Sequence, residues 1–304
     1  MKKILLCDAF DDFLMSKKLA DLSAKTVHDY DDFLKPFLLF CGAVSVSDVT
    51  DGLINSYIAG LLERDITKST RATYIRNLKI FLRWVSDAYE VNYNYSKIKV
   101  PKSPKKNVRI YENVEISQIF DSVHAESDWM VLRNKSILAL MLDSGMRQNE
   151  VCTVLRALVS FDKHYIVVTG KGDKQRVVPF GQFSMELVQR YLEACPFNSK
   201  YLFVNRYGNP LTTNAVKTLV HKLSRELSFD LSSHRLRHNF ATNYCVDHYQ
   251  TYGSMDAYKL MILMGHEDIS TTKRYLHHAT EIIATQEHLS HLDKIRSRKD
   301  GKSE

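Results

Sequence analysis

Apolar residues recur at helical spacing along most of this 304-residue chain, and in one place they give way to alternation. Phe10, Phe13 and Leu14 begin the first stripe, and Ser23 offers a side-chain acceptor ahead of a second made by Val27, Tyr30, Phe33 and Leu34. Val49, Leu53, Ile54, Tyr57, Ile58 and Leu61 form the next, and Ser69 stands where an N-cap would open a helix carrying Tyr74, Leu78, Phe81, Leu82 and Val85. These stripes predict a small all-α domain over residues 1–96, with the aromatic and aliphatic positions as its core. The segment SKIKVPKSPKKNVR, from Ser96 to Arg109, breaks the pattern. Pro101 and Pro104 deny a helix, and a run of lysines without one acid extends the chain by like-charge repulsion. It predicts a linker over residues 97–110, followed by a second domain over residues 111–304.

From Tyr111 the helical pattern resumes through Ile116, Ile119, Phe120 and Val123. A longer run, Leu132, Ile137, Leu138, Leu140, Met141 and Leu142, leads directly to Gly145 and Arg147. Then Tyr165 to Thr169 and Gln175 to Pro179 read as strands, and the Gly/Asp turn GKGDK between them predicts a hairpin. Helical spacing dominates afterwards, with Asn205 to Pro210 as a turn and a polar, fraying tail. The pattern predicts a mainly α protein with a small β-hairpin, the second domain being α+β.

Composition narrows the class. Hydrophobic residues at 44% and charged residues at 25% are ordinary for a globular protein. No apolar run is long enough to span a bilayer, and MKKILLCDAF turns acidic too early for a secretory signal, so a cytoplasmic protein is expected. Five cysteines, Cys7, Cys41, Cys152, Cys195 and Cys245, are scattered, odd in number and without a CxxC pair. They argue against a disulfide framework and a structural zinc site, and are expected to be buried thiols. The net charge of +7 suits a polyanionic partner, or simply solubility. The same two readings apply to the basic face of the helix after Ser69, with Lys68, Arg71, Arg76, Lys79 and Arg83, and to the linker cations Lys102, Lys105 and Lys106.

Four boxes carry candidate chemistry: GMRQNE around Arg147, TGKGDKQRVVP around Lys171, HRLRHNFAT from His234, and MGHEDISTTKRYLH ending beyond Tyr275. Their side chains suit attack on a phosphodiester. A phenol can serve as nucleophile, guanidinium forks can bond non-bridging oxygens, and imidazoles can donate hydrogen bonds or move protons. Each residue alone has a plainer reading, a surface ion pair for an arginine or core packing for one of 16 tyrosines. His234 and His238, four apart, also have the spacing of a metal pair. No third ligand follows, no glutamate lies between them, and Arg237 would repel a cation.

Taken together and in this order, the boxes resemble the active-site motifs of the tyrosine recombinases, or phage integrase family, over nearly the whole chain. The resemblance implies that Arg147 and Arg237 are the two catalytic arginines, Lys171 the general acid, His234 and His266 the catalytic histidines and Tyr275 the nucleophile, with Glu150 bracing Arg147. Lys174 competes with Lys171 for the acid's role. It also implies an N-terminal SAM-like core-binding domain and strand exchange through a 3′-phosphotyrosine and a Holliday junction. The partners implied are double-stranded DNA carrying specific recombination sites and a homotetramer on that DNA, with room for accessory DNA-bending proteins or a partner recombinase. No cofactor or metal is called for. The expected layout resembles that of the simpler Xer-type recombinases and of integrases of small mobile elements, rather than the larger phage integrases with their arm-binding domain. A type IB topoisomerase is the enzymatic alternative, and an inactive DNA-binding regulator the non-enzymatic one.

Gln148 and Asn149, beside the first arginine, are more polar than the family pattern, and one stretch departs from it in length. The stretch CVDHYQTYGSMDAY before MGH is long and interrupted by Gly253, leaving open an extended helix or a loop. The residues from Glu281 to Ile295, with Ile282, Ile283, Leu289 and Leu292, could dock on a neighbouring subunit or fold back on their own core.

Overall fold

The computed structural model describes residues 3–102, 109–170 and 173–287. The chain divides into two compact units, Met1–Lys106 and Asn107–Glu304. The first contains four helices, α1 (Leu6–Leu19), α2 (Ala24–Cys41), α3 (Asp51–Glu63) and α4 (Lys68–Tyr89). Hydroxyl caps start three of them: Ser23 accepts from Thr26 N at 3.2 Å, Thr50 from Leu53 N at 3.2 Å and Thr67 from Thr70 N at 3.1 Å. The cap of α4 is therefore Thr67, two residues ahead of the expected Ser69, because the earlier hydroxyl already satisfies the first free amide. The stripes meet in one core, where the Phe13 ring lies edge-on to Tyr30, Phe81 and Trp84. Ile98 and Val100 pack against that core, so this unit runs past residue 96 into what reads as linker.

Two cations of the α4 face turn inward. Arg71 donates from Nε to the Leu61 carbonyl at 2.8 Å and from Nη2 to those of Leu62 and Arg64 at 3.1 and 3.3 Å, closing the C-terminal end of α3. Lys79 ties the following segment to α4, with Nζ 3.1 Å from the Ile98 carbonyl and 3.4 Å from that of Ser96. Lys68, Arg76, Arg83 and the later Lys102 remain exposed. Lys105 and Lys106 lie outside the described residues.

The second unit opens with α5 (Asn113–Asp121), α6 (Asp128–Asp143) and the short α7 (Gln148–Thr153). A three-stranded antiparallel sheet follows, in the order β1 (Val159–Ser160), β2 (Tyr165–Thr169), β3 (Gln175–Pro179). The hairpin falls on the alternating runs, in a register that sets Val168 opposite Arg176 and Ile166 opposite Val178. The two-residue β1, too short to alternate, has no signature in the sequence. Five helices complete the unit: α8 (Gln182–Ala194), α9 (Thr213–Glu226), α10 (Ser233–Tyr252), α11 (Ala257–Met264) and α12 (Ile269–Glu287).

This unit has two cores. One gathers Ile137, Leu138, Leu140, Met141, Tyr191 and Phe203 around α6, and the other joins α10, α11 and α12 through Phe240, Val246, Leu260, Met264 and Tyr275. Helix α10 serves both, since its Leu236 lies in the first and Phe240 in the second. The long stretch before MGH is an extension of α10, which Gly253 ends in a left-handed conformation, φ 70°. Ile283 is buried in the second core and Ile282 packs on it, so α12 folds back on its own unit at least to Ile283. Leu289 and Leu292 lie outside the described residues.

The expectation for the cysteines needs correction. Cys152 and Cys245 are buried and Cys41 and Cys195 half-buried, but Cys7 is exposed, on the outward side of the first turn of α1 beside Asp8. Among the described residues, no helix is long and apolar enough to cross a membrane.

Candidate active site

The site begins where α6 ends. Gly145 takes φ 62°, and a Cβ there would fall 2.3 Å from the Phe240 ring, so only glycine lets the chain turn between α6 and α10. The turn delivers Arg147 to the start of α7. Its amide donates to Glu150 Oε2 at 2.7 Å, and its Nη1 donates to Oε1 at 3.0 Å. Glu150 is 2% exposed and holds a second cation in two-pronged fashion, with Arg176 Nη1 at 2.5 Å from Oε1 and Nη2 at 2.7 Å from Oε2. Burial alone would raise this carboxyl, but the bonds and charge of Arg176, then of Arg147, outweigh it and hold the pKa below the usual carboxylate value.

The end of α11 supplies the opposite wall. Gly265 closes that helix with φ 59°, leaving its last carbonyls without intrahelical partners. Three guanidiniums take them: Arg176 Nε donates to the Leu263 carbonyl at 2.8 Å, Arg237 Nη2 to that of Met264, and Arg147 Nη2 to that of Gly265 at 2.8 Å. Arg237, on α10 and 5% exposed, also donates from Nη1 to the Gly145 carbonyl. A helix C-terminus carries partial negative charge, so it favours this gathering. One carboxylate and one helix end still leave three fixed cations in excess of their counter-charge. Burial, and then the charge of Arg147, pull Arg237 down to about 9, low for a guanidinium yet still protonated at neutral pH.

Three imidazoles border the arginines. His266 follows Gly265, shares a hydrogen bond between Nδ1 and Thr272 Oγ1 at 2.9 Å, and places Nε2 3.5 Å from Arg237 Nη2. Burial first, then Arg237 and Arg147, lower its pKa to about 4, so the ring is neutral at pH 7. His238 is buried on α10 and is lowered to about 4 by burial and then by Arg274. His234, one turn earlier and exposed, is lowered by partial desolvation, then by Arg274 and Arg237. With Arg237 beside them, His234 and His238 make a poor cation site. The His/Cys/Asp/Glu group among the described residues that is compact enough for an ion is His28, Asp31 and Asp32 on α2, whose carboxylates already face Lys35 and His28.

Tyr275, in the second turn of α12, is 1% exposed. Its ring lies edge-to-face against His238 with centroids 4.6 Å apart, and parallel to His266 at 6.0 Å. The fold thus brings Arg147, Glu150, His234, Arg237, His266 and Tyr275 into one neighbourhood. Lys171 lies outside the described residues. Its neighbours show a closed turn, with Gly170 N donating to the Lys174 carbonyl at 2.8 Å and Asp173 at φ 59°. Lys174 is exposed and paired with Glu267 at 3.1 Å.

The comparisons with known proteins cover both units of the chain. The model described as "Phage integrase family" matches residues 109–281, and that of its N-terminal SAM-like domain matches residues 8–89. The chain belongs to the phage integrase family. Among its relatives are the tyrosine recombinases XerC of Lacticaseibacillus casei, 27% identical with 88% of this chain and 92% of the relative covered, and of Bacillus pumilus, 29% identical with 90% and 91% covered. The fold is similar to that of the Tn1549 transposon integrase in complex with transposon right end DNA, with a TM-score of 0.71 at 15% identity over 99% of this chain and 100% of that one. It is also similar to a lambda integrase dimer bound to a COC′ core site, with a TM-score of 0.72 at 16% identity over 90% and 95%.

Within this candidate site of a phage integrase family member, two residues escaped the sequence reading. Arg176 alternates with the buried Val178 on one face of β3, so a cation at an inward strand position was the available signal. Thr272 is fully buried three residues before Tyr275, one helical turn away on the same side of α12.

Proposed function

We propose that the chain is a site-specific DNA recombinase that cuts one strand of each duplex through Tyr275 and passes it to a partner duplex by way of a Holliday junction, as a tetramer on two DNA sites. The observation that carries this reading is the crowding of three guanidiniums over one carboxylate and one helix end, beside a buried tyrosine. Such a site is short of negative charge, and a phosphodiester supplies it. Two of the solved relatives are described in complex with DNA, which agrees in substrate class.

In this mechanism Arg147 and Arg237 bond the non-bridging oxygens with the donors left free by the carbonyls, and Glu150 and Arg176 keep Arg147 in place. His266 adds a hydrogen bond from Nε2 when Thr272 holds Nδ1 as an acceptor. The phenolic oxygen of Tyr275 forms a bond to phosphorus as the bond to the 5′ oxygen breaks. The phenol's proton passes to His234, and Lys171 donates a proton to the departing oxygen. Reversal of these steps reseals the strand, and the phosphotyrosine conserves the bond energy, so no nucleotide is consumed. The exposed Lys68, Arg76 and Arg83 of α4 and the linker lysine Lys102, with Lys105 and Lys106 beyond it, bind the phosphate backbone.

The test uses labelled duplexes drawn from the DNA flanking the gene, incubated with the full chain in excess chelator and run on a denaturing gel. A covalent protein–DNA species is expected, and Tyr275→Phe should abolish it while leaving DNA binding intact. An adduct that persists in that variant overturns the nucleophile. Two differently marked duplexes should also yield exchanged strands, whereas relaxation of supercoils without exchange would indicate a topoisomerase.

A further inference from the structure

One guanidinium at the site differs from the other three. Arg274 is exposed and takes no part in the bonds to Glu150 or the end of α11. Its Nε donates to the Thr271 carbonyl of its own helix at 3.1 Å, and its guanidinium carbon stands over the Tyr275 ring, 5.3 Å from the centroid. Among the described residues no acceptor meets its two terminal nitrogens. Building on the recombinase reading, we propose that Arg274 is a positioning residue for Tyr275, holding a full positive charge over the phenol ring to stabilise the negative charge its oxygen carries on entering and leaving phosphorus.

A cation over an aromatic face is attracted by the ring's electron density, and the attraction grows as the phenol becomes phenolate. The groups facing Tyr275 make this charge matter. Helix α10 sets His238 edge-on to the ring and brings Arg237 within reach of its charge, the turn before α12 lays His266 parallel to it, and His278 of α12, its Nδ1 sharing a hydrogen bond with Glu281 at 3.2 Å, lies against His238. Burial and the surrounding arginines lower His234, His238 and His266, the last two to about 4, so they add little positive charge beside the ring. Arg237 then serves phosphate oxygens and the Gly145 and Met264 carbonyls, and Arg274 is the cation set against the ring face.

The test compares wild type, Arg274→Gln and Arg274→Lys, with Tyr275→Phe as the blank. Single-turnover adduct formation is followed at saturating DNA from pH 6.5 to 9.5, and DNA affinity is measured as a function of salt. Arg274→Gln should slow adduct formation roughly two- to fivefold at pH 7, the rate equivalent of an exposed cation over a ring. The deficit should narrow as the pH climbs toward the range where a phenol ionises unaided, near about 10. Arg274→Lys should keep most of the rate, and neither variant should alter the salt slope of binding. A deficit that stays constant with pH while the salt slope falls by about 0.9 makes Arg274 a DNA phosphate contact and overturns the proposal. Equal rates for the Gln and Lys variants overturn it as well. If wild type forms no adduct, or the Tyr275→Phe blank forms one, the recombinase reading itself falls, a result separate from either of these.

Discussion

Arg71 in the N-terminal unit and Arg237 in the second unit make the same kind of bond, guanidinium to helix-end carbonyl, in opposite company. Arg71 meets the carbonyls of Leu61, Leu62 and Arg64 alone, and charge and partial charge are matched there. Arg237 shares the end of α11 with Arg147 and Arg176, and the one buried carboxylate nearby bonds only the other two. The first arrangement is matched in charge, whereas the second carries more positive than negative charge. Similar bonds therefore close a helix in one place and gather the proposed phosphate site in the other, and the local balance of charge distinguishes them.

The largest effect expected from breaking this comparison is at Glu150. Glu150→Ala leaves Arg176 and Arg147 without their carboxylate and should cost about 3–5 kcal/mol of stability, read from urea unfolding of the full chain. A loss below about 1 kcal/mol would mean that the α11 carbonyls alone hold the arginines. Arg237→Ala should slow adduct formation by at least about 10²-fold, the scale of one lost transition-state donor. Its unfolding midpoint should move little, since relief of repulsion offsets the lost carbonyl bonds. A large loss of stability with normal cleavage would place Arg237 in the same class as Arg71.

Acid gives the next effect. His238 is held near 4 against an ordinary value of about 6.5, so the unfolded chain binds the extra proton between those limits. Stability is complete above about pH 6.5 and falls as the pH drops toward 4, by an amount on the order of 3 kcal/mol for this imidazole. The drop in urea midpoint between pH 7 and pH 4.5 should be smaller in His238→Gln, and equal drops in both proteins would sink this assignment. Arg71→Ala should cost about 1–3 kcal/mol of stability by stranding the carbonyls that end α3, with adduct formation at saturating DNA unchanged. The smallest effect is expected from Lys68→Gln with Arg76→Gln. Binding should lose up to about 0.9 log unit of salt slope per contact removed, with folding intact, and an unchanged slope would take α4 off the DNA backbone.

Much of the fold was legible because burial imposes a period. The stripes of α1 to α6 and the alternation of β2 and β3 fall where apolar spacing puts them, and the turn GKGDK lies between the two strands. Thr67 in place of Ser69 shows the limit, since adjacent hydroxyls compete for the same cap and spacing does not choose between them. Arg71 and Lys79 show another. A long cation on a helix can face water or reach back to a carbonyl, and the carbonyl's position depends on where a different helix ends. Motif order pointed to Arg147, Glu150, His234, Arg237, His266 and Tyr275, which lie far apart in sequence and are gathered by α7 and by α10 to α12. What the motifs omitted was support: Arg176 from the hairpin, Thr272 behind His266, and the carbonyls of α11, which have no side-chain signature.

Those carbonyls bear on how such a site tolerates sequence drift. A substitution can delete a carboxylate, but none at Leu263 or Met264 can delete the peptide oxygen that receives Arg176 or Arg237. Any apolar pair that fills the same core volume keeps both acceptors in place, provided the helix still stops at Gly265, where a Cβ would come within 3.0 Å of Arg176 and 3.2 Å of Arg147. Part of the arginine cluster's anchorage is thus inherited with the backbone, and the side chains of α11 are free to diverge around a constraint concentrated in one glycine.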